Sequence, residues 1–202
     1  MLTHIEHSEK VLVMKVFLTV LILVFNLQSW SKADEIRNIE IEGMTIEDSA
    51  LNYFSNQEIE NNKKKWFKND KYSISVMRSN KFVNYDKIQI VYKTTDTKKK
   101  LVAIDGLQDY EDIKLCNEKL DDIAEEISSV LTSFKNLGKL KYKNNGDPSG
   151  KSTVIDINFE NENQDEIQVA CYDYSEEFGG NDHLRVGIRL LEYRHFLRYD
   201  AY

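Results

Sequence analysis

The chain has 202 residues, 41% of them hydrophobic, with 27 Lys and Arg against 34 Asp and Glu for a formal net charge of −7. The acidic balance argues against a nucleic-acid footprint or an anionic membrane surface as the main partner. With one Pro and eight Gly, there is no low-complexity linker and no internal repeat, so a single compact domain is expected.

From Met14 the chain reads as an export signal. Lys15 precedes an apolar run over residues 16–25 broken only by Thr19, and polar and small residues follow, with Ser31 and Ala33 where a signal peptidase needs small side chains. A signal peptide over residues 14–33, cut after Ala33, is therefore expected. The rival reading, a retained membrane anchor, needs about 20 apolar residues, and the uncharged run over 16–31 falls short. Residues 1–13, with His4, His7 and Lys10, are read as a start-site artefact with Met14 the true initiator. No cysteine lies near the cleavage point, so a lipid anchor of the bacterial lipoprotein type is not indicated. Cleavage leaves 169 residues with 24 basic and 32 acidic side chains, a net charge of −8, which suits one domain with a sizeable core.

Residues 36–42 alternate, Ile39 and Ile41 against Glu40 and Glu42, and predict a short strand ended by Gly43. Thr45 with Asp48 offers a cap for a helix over 46–54, and Ser55 with Glu58 repeats the signal for a second helix reaching Trp66 or Phe67. Strand patterns follow at Tyr72, Ile74 and Val76, at Ile88, Ile90 and Tyr92, and at Leu101 and Ala103, the last two runs joined by a polar turn at Asp96. Over 111–135, Ile113, Cys116, Leu120, Ile123, Ile127, Val130, Leu131 and Phe134 recur at helical spacing and put Cys116 on the buried side of an amphipathic helix.

Further strand patterns are Leu140 and Tyr142 among lysines, then Ile155, Ile157 and Phe159, then Ile167, Val169 and Cys171, then Leu184, Val186, Ile188 and Leu190. Residues 191–202 continue the last strand or form a terminal helix. Each strand has one apolar and one polar face, as in an antiparallel sheet covered on one side. The expected fold is α+β: a meandering antiparallel sheet of six or seven strands, the 111–135 helix packed on its apolar face, and two short N-terminal helices.

In an oxidising compartment the even cysteine count invites a disulfide between Cys116 and Cys171, because a helix on the strand's apolar face brings both sulfurs into one layer. The competing readings are two buried free thiols and a catalytic thiol, for which nothing nearby in sequence looks like an activating base.

Residues that carry chemistry are sparse. His183 and His195 have no nucleophile elbow to pair with, and His183, at the start of a strand, reads as a surface histidine. Asp173, Glu176, Glu177 and Asp182 surround Gly179 and Gly180 and are weak candidates for a cation. Their order does not match an EF-hand loop, and a solvated hairpin turn accounts for them. No zinc spacing, phosphate-binding glycine loop or dinucleotide fingerprint occurs, so no cofactor is implied. Lys63, Lys64 and Lys65 are expected on a helix and Lys98, Lys99 and Lys100 in a turn, both as solvated faces. Eleven tyrosines invite the thought of a ligand surface, since tyrosine joins an apolar ring to a polar handle. Tyr72, Tyr92 and Tyr142 fall on core-facing positions, whereas Tyr172 and Tyr174 lie opposite Cys171. With Arg185 and Arg189 they form a candidate ligand face if the outer side of the sheet is open.

The segment 34–54 (DEIRNIEIEGMTIEDSALNYF), the helix around Cys116, and the stretch VACYDYSEE followed by DHLRVGI together resemble a family of small uncharacterised exported proteins of marine bacteria. The resemblance covers nearly the whole chain after the signal. It implies export and a paired-cysteine α+β domain, and it brings no functional residues with it. The expected role is that of a non-enzymatic periplasmic or secreted domain that binds a small ligand or another envelope protein, with no nucleic-acid partner and no stable membrane insertion after cleavage. The alternative, a small extracytoplasmic hydrolase, requires two carboxylates converging in one cleft, one of them with a raised pKa.

Overall fold

The computed structural model describes residues 32–202. The signal expected over 14–33 and the start-site reading of residues 1–13, with His4 and His7, therefore lie outside the described residues apart from Lys32 and Ala33, which open a 3₁₀ helix, Lys32–Asn38.

Eight strands form one open sheet, paired antiparallel throughout: β1 (Lys63–Lys64), β2 (Tyr72–Met77), β3 (Lys87–Lys93), β4 (Leu101–Asp109), β5 (Lys135–Lys143), β6 (Thr153–Glu160), β7 (Glu166–Asp173) and β8 (His183–Arg189). Their spatial order is β1-β2-β3-β4-β8-β7-β6-β5, so two meanders meet where β4 pairs with β8. The count of six or seven is corrected to eight by β1. Lys63 and Lys64, expected on a helix, instead pair with Ser75 and Ile74.

The helix that precedes them, α1 (Asn56–Asn61), starts at its capping box, Ser55 and Glu58 each accepting from the other's backbone N–H. It stops short of Trp66 because Asn62 leaves helical geometry and its side-chain amide donates to the Glu58 carbonyl, 2.9 Å, satisfying a free acceptor of the last turn.

Two N-terminal expectations are overturned by positive φ angles. The strand over 36–42 is absent: Ile41 pairs only with Met44, across a tight turn in which Glu42 and Gly43 have φ of 52° and 77°. The helix over 46–54 shrinks to a 3₁₀ turn, Ala50–Asn52, capped by Ser49, because Glu47 sits at φ 72°, a value outside the right-handed helical region.

Helix α2 (Ile113–Val130) is capped by Asp112, whose carboxylate accepts from the Lys114 N–H. It carries the chain from central β4 to edge strand β5 and packs chiefly on β7. Its buried residues Cys116, Leu120, Ile123 and Ala124 meet Ile90, Ile104, Val169, Leu184 and Ile188 on the inner face of the sheet. Cys116 is bonded to Cys171 with Cα atoms 6.0 Å apart, which removes the free-thiol and catalytic-thiol readings. Leu131 and Phe134 are buried beyond the helix end.

The open choice over residues 191–202 resolves as helix α3 (Leu191–Tyr199), and with it comes a correction. The sheet is not covered on one side only. Tyr193, Phe196 and Ala201 pack on the outer face against Tyr72, Ile74, Val91, Val102 and Ala103, forming a second core. Strands β2, β3 and β4 are buried on both faces there, which is why Val91 beside Tyr92, and Val102 beside Leu101 and Ala103, read as continuous apolar runs. No helix among the described residues is long and apolar enough to cross a membrane.

Candidate functional site

The apolar side of helix α3 packs on the outer face over β2, β3 and β4, and its Arg194 reaches Glu160 and Glu166 at the near ends of β6 and β7. The remaining half is polar, and alternation dictates its members: Tyr142 from β5, Asp156 from β6, Gln168 and Tyr172 from β7, and His183, Arg185 and Arg189 from β8, all on the side opposite Cys171.

A hydrogen-bonded ladder crosses six adjacent strands of this face. Gln89 of β3 donates to Asp105 of β4 at 2.7 Å, and Arg189 of β8 donates to Asp105 at 2.9 Å and to Gln168 of β7 at 2.8 Å. Gln168 in turn donates to Asp156 of β6 at 3.0 Å, and Tyr142 of β5 donates to Asp156 at 2.9 Å. Glu166 adds a longer bond to Arg189, 3.3 Å. Burial opposes the charge of Arg189, but Asp105 and Glu166 outweigh it and hold the guanidinium above its ordinary pKa.

The ladder changes the expected ligand face. Arg189 is only 7% exposed and both of its terminal nitrogens are committed to Asp105, Gln168 and Glu166. Tyr142, expected in the core, is 43% exposed at the sheet edge, because it lies on the outer face and no helix covers β5.

The other three residues come together. The Arg185 guanidinium lies over the Tyr172 ring, 4.8 Å from its centroid. The Tyr172 and Tyr174 rings are 6.0 Å apart, and Tyr172 stacks on His183 at 4.8 Å with planes 3° apart. Arg185 forms no hydrogen bond or ion pair among the described residues, and its Nε is buried without a partner. Comparison with protein-family models, curated proteins and solved structures finds no match to this chain. Its functional reading therefore rests on these groups.

His183 is a residue that the sequence misplaced. It is 6% exposed rather than a surface histidine. Its Nδ1 faces the Asn181 carbonyl at 3.1 Å, so the proton sits there, and Nε2 is buried without a partner. Burial first, and then the charge of Arg185, push its pKa down to about 4. The neutral ring is thus the resting form. His195 lies exposed on α3, against Tyr199 at 4.5 Å.

The acidic loop does not converge. Asp173 accepts from Thr153 at 3.3 Å, Glu177 pairs with Lys151 at 2.5 Å, Asp182 accepts from the Tyr174 N–H at 2.7 Å, and Glu176 is exposed. Among the described residues no group of His, Cys, Asp and Glu is arranged to hold a metal ion.

Several acids do share a cleft of about 800 Å³, including Asp86, Asp109, Glu111 and Asp182, with Arg78 beside them. Although burial opposes the charge of Asp109, hydrogen bonds from Lys87 and Asn181 outweigh it and hold its pKa below the ordinary value. That is the opposite of what a general acid needs.

The loop that supports Tyr174 is organised by Asp147, which accepts from Ser149, Ser152 and Ser175. These bonds, that of Ser152 foremost, outweigh its desolvation and drive its pKa well below the carboxylate range.

Proposed function

We propose that this is an exported binding module that holds a small ligand bearing an oxyanion, a carboxylate, phosphate or sulfate, on the outer face of its sheet. The observation that carries the reading is Arg185: a charged, half-buried guanidinium resting on Tyr172 with no hydrogen-bond or ion-pair partner among the described residues. Withdrawing a charge from water without a partner costs several kcal/mol, whereas a bidentate oxyanion matches the donor fork of arginine. Tyr172 and Tyr174 supply rings on which the body of such a ligand packs.

Arg189, Asp105 and Gln168 act as the floor. Their mutual bonds hold the strands beneath the platform and occupy the terminal nitrogens of Arg189, whereas those of Arg185 are bonded to no group among the described residues. Binding rather than reaction is favoured because His183 contacts the Asn181 carbonyl and the Tyr172 and Tyr174 rings, and among the described residues no serine or thiol is in hydrogen-bond contact with it. Export is supported by the Cys116–Cys171 disulfide, a bond that persists in oxidising compartments, together with the signal read in the sequence.

Calorimetric titration of the full chain with sulfate, phosphate and glucuronate tests the reading. At least one should saturate, Arg185→Gln should weaken it by roughly ten- to a hundred-fold, and Arg185→Lys should weaken it less. A protein that binds none of the three, or an Arg185→Gln variant that binds as tightly as the parent, would overturn it.

A further inference from the structure

On the opposite side of the sheet, under the C-terminal half of α2, lies a cavity of about 410 Å³. Its walls are Ile123, Ile127 and Val130 from the helix and Ile167, Val186 and Ile188 from β7 and β8. Val186 stands on a central strand, on the helix-covered face, yet it is only partly buried, as are Ile127 and Val130. Helix and sheet are pinned together at the other end of α2 by Cys116 and Cys171, and here the layers do not close.

The mouth is built by two segments. The Glu42 carboxylate accepts from the backbone N–H groups of Val83 (2.9 Å) and Asn84 (2.6 Å), tying that loop to the turn at Gly43. Tyr85 is laid over Gly106, where a Cβ would stand 2.6 Å from the ring. The missing side chain at 106 is thus what admits the aromatic wall.

The charge at the mouth is of one sign. Glu40, Glu42 and Glu126 line it, and among the described residues no Lys, Arg or His does. An apolar chamber of this size suits a small ligand, and a one-sided acidic rim selects against an anionic headgroup and for a cationic one.

We infer that the chamber between α2, β7 and β8 is a second ligand site, taking a cationic amphiphile: a hydrocarbon body against Ile127, Val186 and Ile188, and an amine at Glu40 and Glu126. The site lies on the other face of the sheet from Arg185 and stands independently of the oxyanion reading.

Titrating the full chain calorimetrically with decylamine, decanol and decanoate, all below micelle formation, tests this. Decylamine should saturate and bind at least roughly tenfold more tightly than decanoate, with decanol between them. Val186→Trp should abolish binding by filling the chamber. Glu40→Gln with Glu126→Gln, which keeps the size of both side chains, should reduce the preference of amine over alcohol to about parity. Arg185→Gln should leave all three affinities unchanged, which separates this site from the other. Decanoate binding as tightly as decylamine, no saturation by any probe, or an undiminished amine preference in the double Gln variant would each overturn the assignment.

Discussion

Gly187 and Asp105 face each other across β8 and β4, and the Asp105 carboxylate occupies the space that a side chain at 187 would need: a Cβ there would fall well inside contact distance of Asp105 Oδ1. The absence of a side chain at one position is thus what allows the buried ion pair between Asp105 and Arg189, 2.9 Å, to form at the next rung.

Gly187→Ala should therefore act through that pair. Displacing the carboxylate leaves Arg189 buried with a weakened partner, a loss of about 3 kcal/mol. Asp105→Asn should cost a similar amount. Urea unfolding of the single and double variants checks the coupling. Combined with Asp105→Ala, which vacates the space, the alanine at 187 should add less than about 1 kcal/mol. Full additivity would show that the two positions do not share one space.

His183 makes stability depend on pH in a definite direction. Its pKa is pushed down to about 4 in the fold by burial and by Arg185, against about 6.5 in an unfolded chain. Above pH 6.5 both states are neutral there and the residue has no effect. Between pH 6.5 and 4 the unfolded chain takes up the proton and the folded one does not, so stability falls as pH falls, by up to about 3 kcal/mol. Melting temperature followed over that range should drop more steeply for the parent than for His183→Gln. Parallel curves would mean that this histidine is not the group responsible.

The Cys116–Cys171 bond spans a sequence separation of 55, and closing a loop of that length stabilises the fold by about 4 kcal/mol. The double variant Cys116→Ala with Cys171→Ala should lose a comparable amount in urea titrations. Thiol labelling of the denatured oxidised parent should find no reactive cysteine until reductant is added. Labelling before reduction would contradict the bond.

Much of the outer face was legible residue by residue. The alternation of Cys171 with Tyr172, and of Leu184 with Arg185, assigned the tyrosine and the arginine to the side away from the helix, and the register puts them there. A signal for the ladder was also present, since Asp105 and Gln89 interrupt apolar strands. The partners of each lie elsewhere in the chain, however, 84 residues away for Asp105 and Arg189. From the sequence, Arg189 consequently reads as a donor of the ligand face and His183 as a surface ring.

Local pattern alone determined the α+β class, the amphipathic α2 with Cys116 inward, the inward face of Cys171 and seven of the strand positions, because each depends on which side of one element a residue faces. The strand order, the second core under α3, the fate of Arg189 and the open chamber at Val186 were decided only in the tertiary structure. They depend on which elements come to lie side by side and how closely they pack, and periodicity along a single strand or helix carries no information about its neighbours.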